Sequence, residues 1–445
     1  MKKLFLIIFL SAFIGINAQD MFSTLKQNEG MLGGGTGVTW IDGQPYYHLR
    51  LFPEFAFSNF GIGLDFKIEV GSNGKIRSEN FNEFSDYLSI IRYVRYGQKG
   101  DPFYARLGAL DYATLGHGSI MYAYNNSPSY DKRTIGLALD ADFSEFGFES
   151  VYSSFGESGV LGIRGYVRPL RFTDLGSIPI IGSLEVGATY TGDLNDNSGV
   201  LAGNIDPLSG NFVSTRDTGS VNIIGLDLGL PIVRTSAFNL DLYFDYVKIL
   251  DFGSGTTAGL KMGFNGLGLV DVMAKLERRF NGDNYIPSYF SSLYELERFQ
   301  VSGGAVNSKV QQLLAAQSVG NGFYGELLVS LLGTFDIVGS YQRLDNDSKS
   351  GALHLATDVS PDDGSFIAKA GYDKVRIQGE SDMFKLDDRS YFFIEFGYKP
   401  MSYMIVSMVY HWTYTPVRDA DDNVIDYAPQ KKIEPRISFV MPLDF

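Results

Sequence analysis

Ile62-Gly63-Leu64-Asp65-Phe66-Lys67-Ile68-Glu69-Val70 decides the architecture, because every even position is apolar and every odd one is Gly or charged. Successive side chains of a β-strand point to opposite faces, so this stretch has one hydrocarbon face and one polar face. The pattern returns in Ile135-Gly136-Leu137-Ala138-Leu139-Asp140-Ala141-Asp142-Phe143 and in Leu161-Gly162-Ile163-Arg164-Gly165-Tyr166-Val167-Arg168. Ile224 to Leu230, Leu240 to Tyr246, Ala258 to Phe264 and Val270 to Leu276 repeat it. A soluble sandwich also alternates. Three features favour a membrane-spanning barrel instead. The polar face carries Gly, Ala, Asp and Arg while the other is almost purely Leu, Ile, Val, Phe and Tyr. Aromatics such as Phe57, Tyr190, Tyr246 and Phe280 end the apolar rows. Finally, short and long connections alternate along the chain, as they do between the two rims of such barrels.

The short connections fall near 58–60, 98–102, 144–145, 231–237, 265–268, 332–334, 359–365 and 400–402. The long polar ones fall near 72–87, 111–132, 193–220, 281–321, 376–389 and 415–431. Residues 169–181 break the phase by being long on the short side. The register gives about 20 strands, or 16 to 18 if short early segments merge. At about 9–11 residues per strand, roughly 200 residues cross the membrane and the rest form turns and loops.

Composition agrees. The 445 residues include 51 Gly, 27 Tyr, 34 Phe, two Trp and no Cys, and mean hydropathy is close to zero. Without cysteine there are no disulfides, thiolate metal sites or Cys nucleophiles. A net charge of -14 argues against a nucleic-acid partner, which requires clustered Lys and Arg. The chain begins with Lys2 and Lys3, an apolar run from Leu4 to Ile16 and a small residue, Ala18. Residues 1–18 therefore read as a signal peptide. Removing its two lysines leaves 37 − 2 = 35 bases against 51 acids, or -16. Residues 19–34 are expected as an N-terminal periplasmic segment and 35–445 as the barrel.

The end of the chain, Arg436-Ile437-Ser438-Phe439-Val440-Met441-Pro442-Leu443-Asp444-Phe445, alternates and closes on Phe. With the signal peptide and the alternation, it resembles the closing strand of bacterial outer-membrane β-barrel proteins of the porin-like class. Pro442 cannot donate a ladder hydrogen bond, so the last residues are expected to lie beyond the paired strand. The resemblance implies an all-β fold, a transmembrane antiparallel up-and-down barrel of about 16–20 strands in the outer membrane of a Gram-negative bacterium. It implies outer-membrane lipid and lipopolysaccharide as surroundings, recognition of Phe445 by the barrel assembly machinery, and small solutes as ligands. An oligomer is compatible with it.

The polar face is then the lumen wall. Its acids are Glu54, Asp65, Glu69, Asp140, Asp142, Glu149, Glu185, Asp227, Asp241, Asp245, Asp271, Glu277, Glu326 and Glu395. Its bases are Arg50, Lys67, Arg106, Arg164, Arg168, Lys261, Lys275, Lys369 and Arg436. Fourteen acids against nine bases predict a mild preference for cations. One insertion breaks the strand pattern: Tyr289, Leu293 and Leu296 recur at helical spacing, and Lys309 to Gln317 favour a helix. Gly303-Gly304 separates the two stretches. Residues 287–318 are expected in an extracellular loop that folds inward as a constriction, or rests on the rim as a cap.

Motifs for chemistry are weak. Gly33-Gly34-Gly35-Thr36-Gly37 lacks the Lys-Ser/Thr of a phosphate loop and reads as glycines before the first strand. Gly116-His117-Gly118-Ser119 pairs His with Ser, without a nucleophile elbow. His48, His354 and His411 lack metal-ligand spacing. Asp419, Asp421 and Asn423 begin like a calcium loop, but Val424 and Gln430 stand where Gly and Glu are needed. No enzyme, cofactor or metal site is expected. The composite expectation is passive diffusion of small hydrophilic solutes. A plugged substrate-specific transporter and a closed structural or surface-interaction barrel are the alternatives.

Overall fold

The computed structural model describes residues 29–444 except 78–80, 82–86, 88–89, 112, 128–132, 157, 179, 236, 267–268, 303–304, 317–319, 333, 360–365, 380, 388, 402–403 and 421–423. The signal-peptide reading and Phe445 lie outside the described residues. One antiparallel sheet of 22 segments dominates. Two long strands are interrupted: Gln44–Leu51 continues as Glu54–Phe57 around Phe52-Pro53, and Phe60–Leu64 continues as Phe66–Gly71. Counting each pair once gives 22 − 2 = 20 staves. Glu29–Ile41 pairs on one side with the second stave and on the other with Val424–Asp444, so the ladder closes into a barrel. Closure matters physically, because an unpaired edge cannot be satisfied in hydrocarbon.

Local sequence explains the turns. Asp42-Gly43 takes φ of 50° and 81°, the left-handed pair a two-residue hairpin needs. Pro231 sits at a bulge, where a missing N–H is tolerated. Along Asn222–Arg234 the outward Leu226 is 60% exposed and the inward Asp227 only 7%. Ile163, Phe244, Leu276 and Ile437 are likewise exposed, whereas Arg164, Asp245, Lys275 and Arg436 are buried. A water-soluble sandwich has the reverse polarity. No described helix is long and apolar enough to cross a membrane; the strands do so.

Four expectations are corrected. The first strand starts at Glu29, not 35, and Gly33 to Gly37 lie inside it. The inward Phe52 ring lies where a Cβ of Gly33 would stand, and the Pro435 carbonyl lies where one of Gly37 would stand, so close approach across the ladder explains these glycines. The last strand pairs through Pro442 to Asp444, because one lost donor does not end an otherwise intact ladder. Residues 415–431 are mostly strand, in a hairpin of Met404–Arg418 with Val424–Asp444 that outreaches the other staves. Finally, the 193–220 connection carries its own hairpin, Val200–Ile205 with Phe212–Asp217.

Inside, glycines face aromatic rings across the ladder. Tyr243 opposes Gly259, Tyr93 opposes Gly63 and Phe393 opposes Gly371. A Cβ on Gly259 would stand 2.0 Å from the Tyr243 ring. Gly165 has open space around it. Gly259→Val should therefore destabilise the barrel by about 1–3 kcal/mol through overpacking, while Gly165→Ala should be near neutral. The loss of the heat-modifiable folded band on semi-native gels, followed against temperature, reports the difference.

Candidate functional site

Two extracellular loops fold into the barrel. The first, 109–127, is a hairpin held by a bridge between Ala113 and Tyr124, with its tip at Gly116 to Ser119. The second is the 282–316 insertion. It contains helix Tyr294–Glu297, a hairpin of Phe299–Ser302 with Ala305–Ser308, and helix Lys309–Ala315. The second helix starts on a capping box of Ser308 and Gln311. The expected helix there is present, and the hairpin was not foreseen from sequence. The loops join by backbone bonds from Tyr122 N to Phe290 O at 3.0 Å and from Ser288 N to Ser119 O at 2.9 Å.

An apolar core anchors both. Leu115, Ile120, Met121 and Tyr124 of the first loop pack with Tyr285, Tyr289, Phe290 and Tyr294 of the second. Both meet Ile223, Val247 and Ile249, inward residues near the extracellular ends of their strands. The insertion thus folds inward rather than capping the rim. Polar clamps add to this. Arg298 reaches Asp193 at 2.6 Å and forks onto Glu295 at 2.6 and 2.7 Å. Tyr124 and Tyr294 donate to the same two carboxylates. Burial pushes the Glu295 carboxyl above its ordinary value, and Arg298 opposes that shift. On the rim, the Arg389 guanidinium hydrogen-bonded to Asp382 lowers its carboxyl to about 2.

Most of the expected wall residues are engaged in pairs. Arg164 is fully enclosed, with Asp227 at 2.6 and 3.0 Å, Glu185 at 2.7 Å and Glu149 at 3.5 Å. Arg50 forks onto Asp65, which also meets Arg133 at 2.5 Å. Glu69 faces Arg77, Asp140 faces Lys99 and Asp142 faces Arg168. Asp241 meets Arg234, and Arg106 meets Asp111. Glu54 accepts from the Tyr93 hydroxyl, and Asp271 accepts from Gly266 N in a turn. Lys67 stands opposite Arg50 in the ladder, and Glu395 stands opposite Lys369. Arg436 meets Glu434 at 2.7 Å. Glu434, Lys432 and His48 form the buried centre of the closing seam. Lys432 and Glu434 are absent from the wall residues expected from sequence, although Lys432-Ile433-Glu434 continues the alternation of the last strand, and His48 is weighed there only as a metal ligand.

The loop tip meets the wall at one crowded point. His117 Nδ1 lies 2.7 Å from Asp245, and Ser119 Oγ donates to the other oxygen of the same carboxylate. A nucleophilic triad needs the serine on the histidine. Here the carboxylate takes both, so Asp245 fixes the loop tip. His117 stacks on Tyr243 at 4.3 Å. Lys275 donates to the His117 carbonyl at 2.7 Å, meets Glu277 at 2.9 Å and lies 4.3 Å from the centre of the Tyr122 ring. Tyr122 and Tyr324 both donate to Glu326.

Two cavities flank this point. The extracellular one, about 790 Å³, is lined by Tyr122, Tyr324 and His354 and by six cations, Arg279, Lys309, Lys349, Lys374, Arg376 and Arg389. Glu297 and Asp373 are the acids of the same lining, and Glu277, Asp382 and Asp387 beside it pair with Arg279, Lys374 and Arg389. The periplasmic one, about 550 Å³, includes His117 and Tyr243 with Arg168, Arg171, Arg234 and Lys261 against Asp142, Glu185 and Asp241. Lys275 touches the linings of both. The two linings together name ten cations and five acids, against the fourteen acids and nine bases counted along the strands.

A closed antiparallel barrel with an apolar outer belt, short turns on one rim and long loops on the other is an outer-membrane β-barrel. No protein-family model matches the sequence, and no curated protein does. Among solved structures it is similar to Pseudomonas aeruginosa OccK5 (OpdH), at 12% identity over 94% of this chain and 98% of that one, with a TM-score of 0.34. It is also similar to Acinetobacter baumannii OccAB4, at 9% identity over 94% and 99%, TM-score 0.33. The siderophore receptor PiuA from Acinetobacter baumannii aligns at 9% identity over 94% and 82%, TM-score 0.37.

Arg164→Met should leave Asp227 and Glu149 without their cation, while Glu185 keeps Arg168. Removing one partner of a buried ion cluster costs about 3–5 kcal/mol. Urea unfolding followed by tryptophan fluorescence should show it, with Arg164→Lys intermediate.

Proposed function

We propose that the protein passes small hydrophilic solutes passively through the outer membrane, by way of the two cavities and the narrow point at Lys275. The observation that carries this reading is the pair of cavities inside the barrel whose linings Lys275 touches on both sides, at His117 and at Tyr122. We further propose that the twenty-three charged wall residues act chiefly as paired struts. The side chains left facing the cavities, Lys261 and Arg376 among them, would then set the selectivity. Of the lining cations, Arg279, Lys309, Lys374 and Arg389 above and Arg168 and Arg234 below are paired with carboxylates, so the balance rests on the others, Arg376, Arg171 and Lys261 among them, and favours anionic solutes over cations. This replaces the mild cation preference that strand counting suggests. The docked loops favour a restricted channel over a wide general pore, which supports the substrate-specific alternative more than the closed one. No catalytic step is proposed. The same reading has lipopolysaccharide against the outer girdle, Phe445 as the assembly signal and a self-contained or oligomeric barrel.

Planar-bilayer recording in a potassium chloride gradient tests it. The reversal potential should report chloride preference; potassium preference would overturn the charge assignment, and absent conductance would overturn conduction itself. Replacing 287–316 by a short Gly-Ser linker should raise single-channel conductance severalfold. Tyr122→Ala should raise it by less, because the Asp245 anchor of the first loop remains.

A further inference from the structure

Among the described residues, the connection 168–184 is the longest on the short-turn rim, which loop length makes the periplasmic side. It folds as three consecutive 3₁₀ turns, Pro169–Phe172, Asp174–Ser177 and Ile181–Ser183. The first two bury no residue and the third buries only Gly182. Phe172, Leu175, Ile178, Ile180 and Ile181 stand between 40% and 64% exposed within ten residues. An exposed apolar patch of this density marks a surface that something covers.

Its polar side is already used. Arg168 and Arg171 both donate to the Ser144 carbonyl, at 2.8 and 3.0 Å, and Arg168 also reaches Asp142 and Glu185. Both arginines line the periplasmic cavity. They fasten the segment to the turn Phe143-Ser144-Glu145-Phe146, whose two Phe rings are exposed and lie 5.1 Å apart. That aromatic pair ends the outward, lipid-facing rows of its two strands. The segment is thus tethered beside a turn whose Phe rings end the lipid-facing rows, while its arginines meet the lumen mouth.

We propose that residues 169–184 are a non-spanning interfacial anchor, lying in the periplasmic leaflet with Phe172, Leu175, Ile178 and Ile181 among phospholipid acyl chains. A short amphipathic element flat in the interface gains from apolar burial without crossing the bilayer. The inference does not depend on what the barrel conducts.

Tryptophan placement in the full barrel tests it. In a background with Trp40→Phe and Trp412→Phe, Phe172→Trp and Ile178→Trp are each refolded into phosphatidylcholine vesicles with and without brominated acyl chains. Leu226→Trp serves as the reference within the lipid belt, and heat-modifiable migration confirms folding. The anchor predicts blue-shifted emission, a bromine-dependent loss comparable to the reference, and little quenching by aqueous iodide. Iodide quenching without bromine quenching would overturn it in favour of a free periplasmic surface. Quenching by neither would overturn it in favour of burial against protein. If Phe172→Trp fails to fold, Ile178→Trp carries the same outcomes.

Discussion

Everything in this molecule depends on the ladder between Glu29–Ile41 and Val424–Asp444. In hydrocarbon a backbone N–H or C=O without a partner costs several kcal/mol, so a sheet with a free edge cannot remain there. Once those two strands pair, each of the twenty staves has two neighbours, and every side chain belongs to an inside or an outside. The outside becomes uniformly apolar. The inside takes whatever the chain must shield from lipid: carboxylates, guanidinium groups, and glycines that make room for aromatic rings.

The interior is not a uniform polar pipe. Across the middle of the barrel its wall carries ion clusters such as Arg164 with Asp227, Glu185 and Glu149. Near the extracellular end the inward row turns apolar at Ile223, Val247 and Ile249, and two loops dock there as a small core. Residues of those loops line two cavities rich in Arg and Lys. Electrostatics inside such a barrel is therefore decided by which charges are left over after pairing, not by the total.

Period-two alternation made the barrel, the strand number near 20 and the orientation of most wall residues legible, because each depends only on which neighbours share a face. An amphipathic surface in need of burial was legible in 287–318, as an inward fold or a rim cap, and 285–313 takes the inward one. What spacing could not show is which loop residue meets which wall residue. Arg133 on Asp65, Arg298 on Asp193 and His117 on Asp245 are joined across 68, 105 and 128 positions. The apolar run Leu115, Ile120, Met121 and Tyr124 within an otherwise polar loop was the available signal that 109–127 also turns inward. The change from Asp241 and Asp245 to Val247 and Ile249 along one inward row marked where it docks.

The closing seam also dictates an order of events in the life of the chain. Thr39 hydrogen-bonds Glu434, 395 positions away. By loop entropy alone, bringing such ends together costs about 3 kcal/mol more than forming a ten-residue hairpin. Hairpins can form as they emerge, but the first strand has no second neighbour until the last has been translocated. Until then that edge has no partner within the chain. The polypeptide acquires a membrane-compatible form only when its two ends meet.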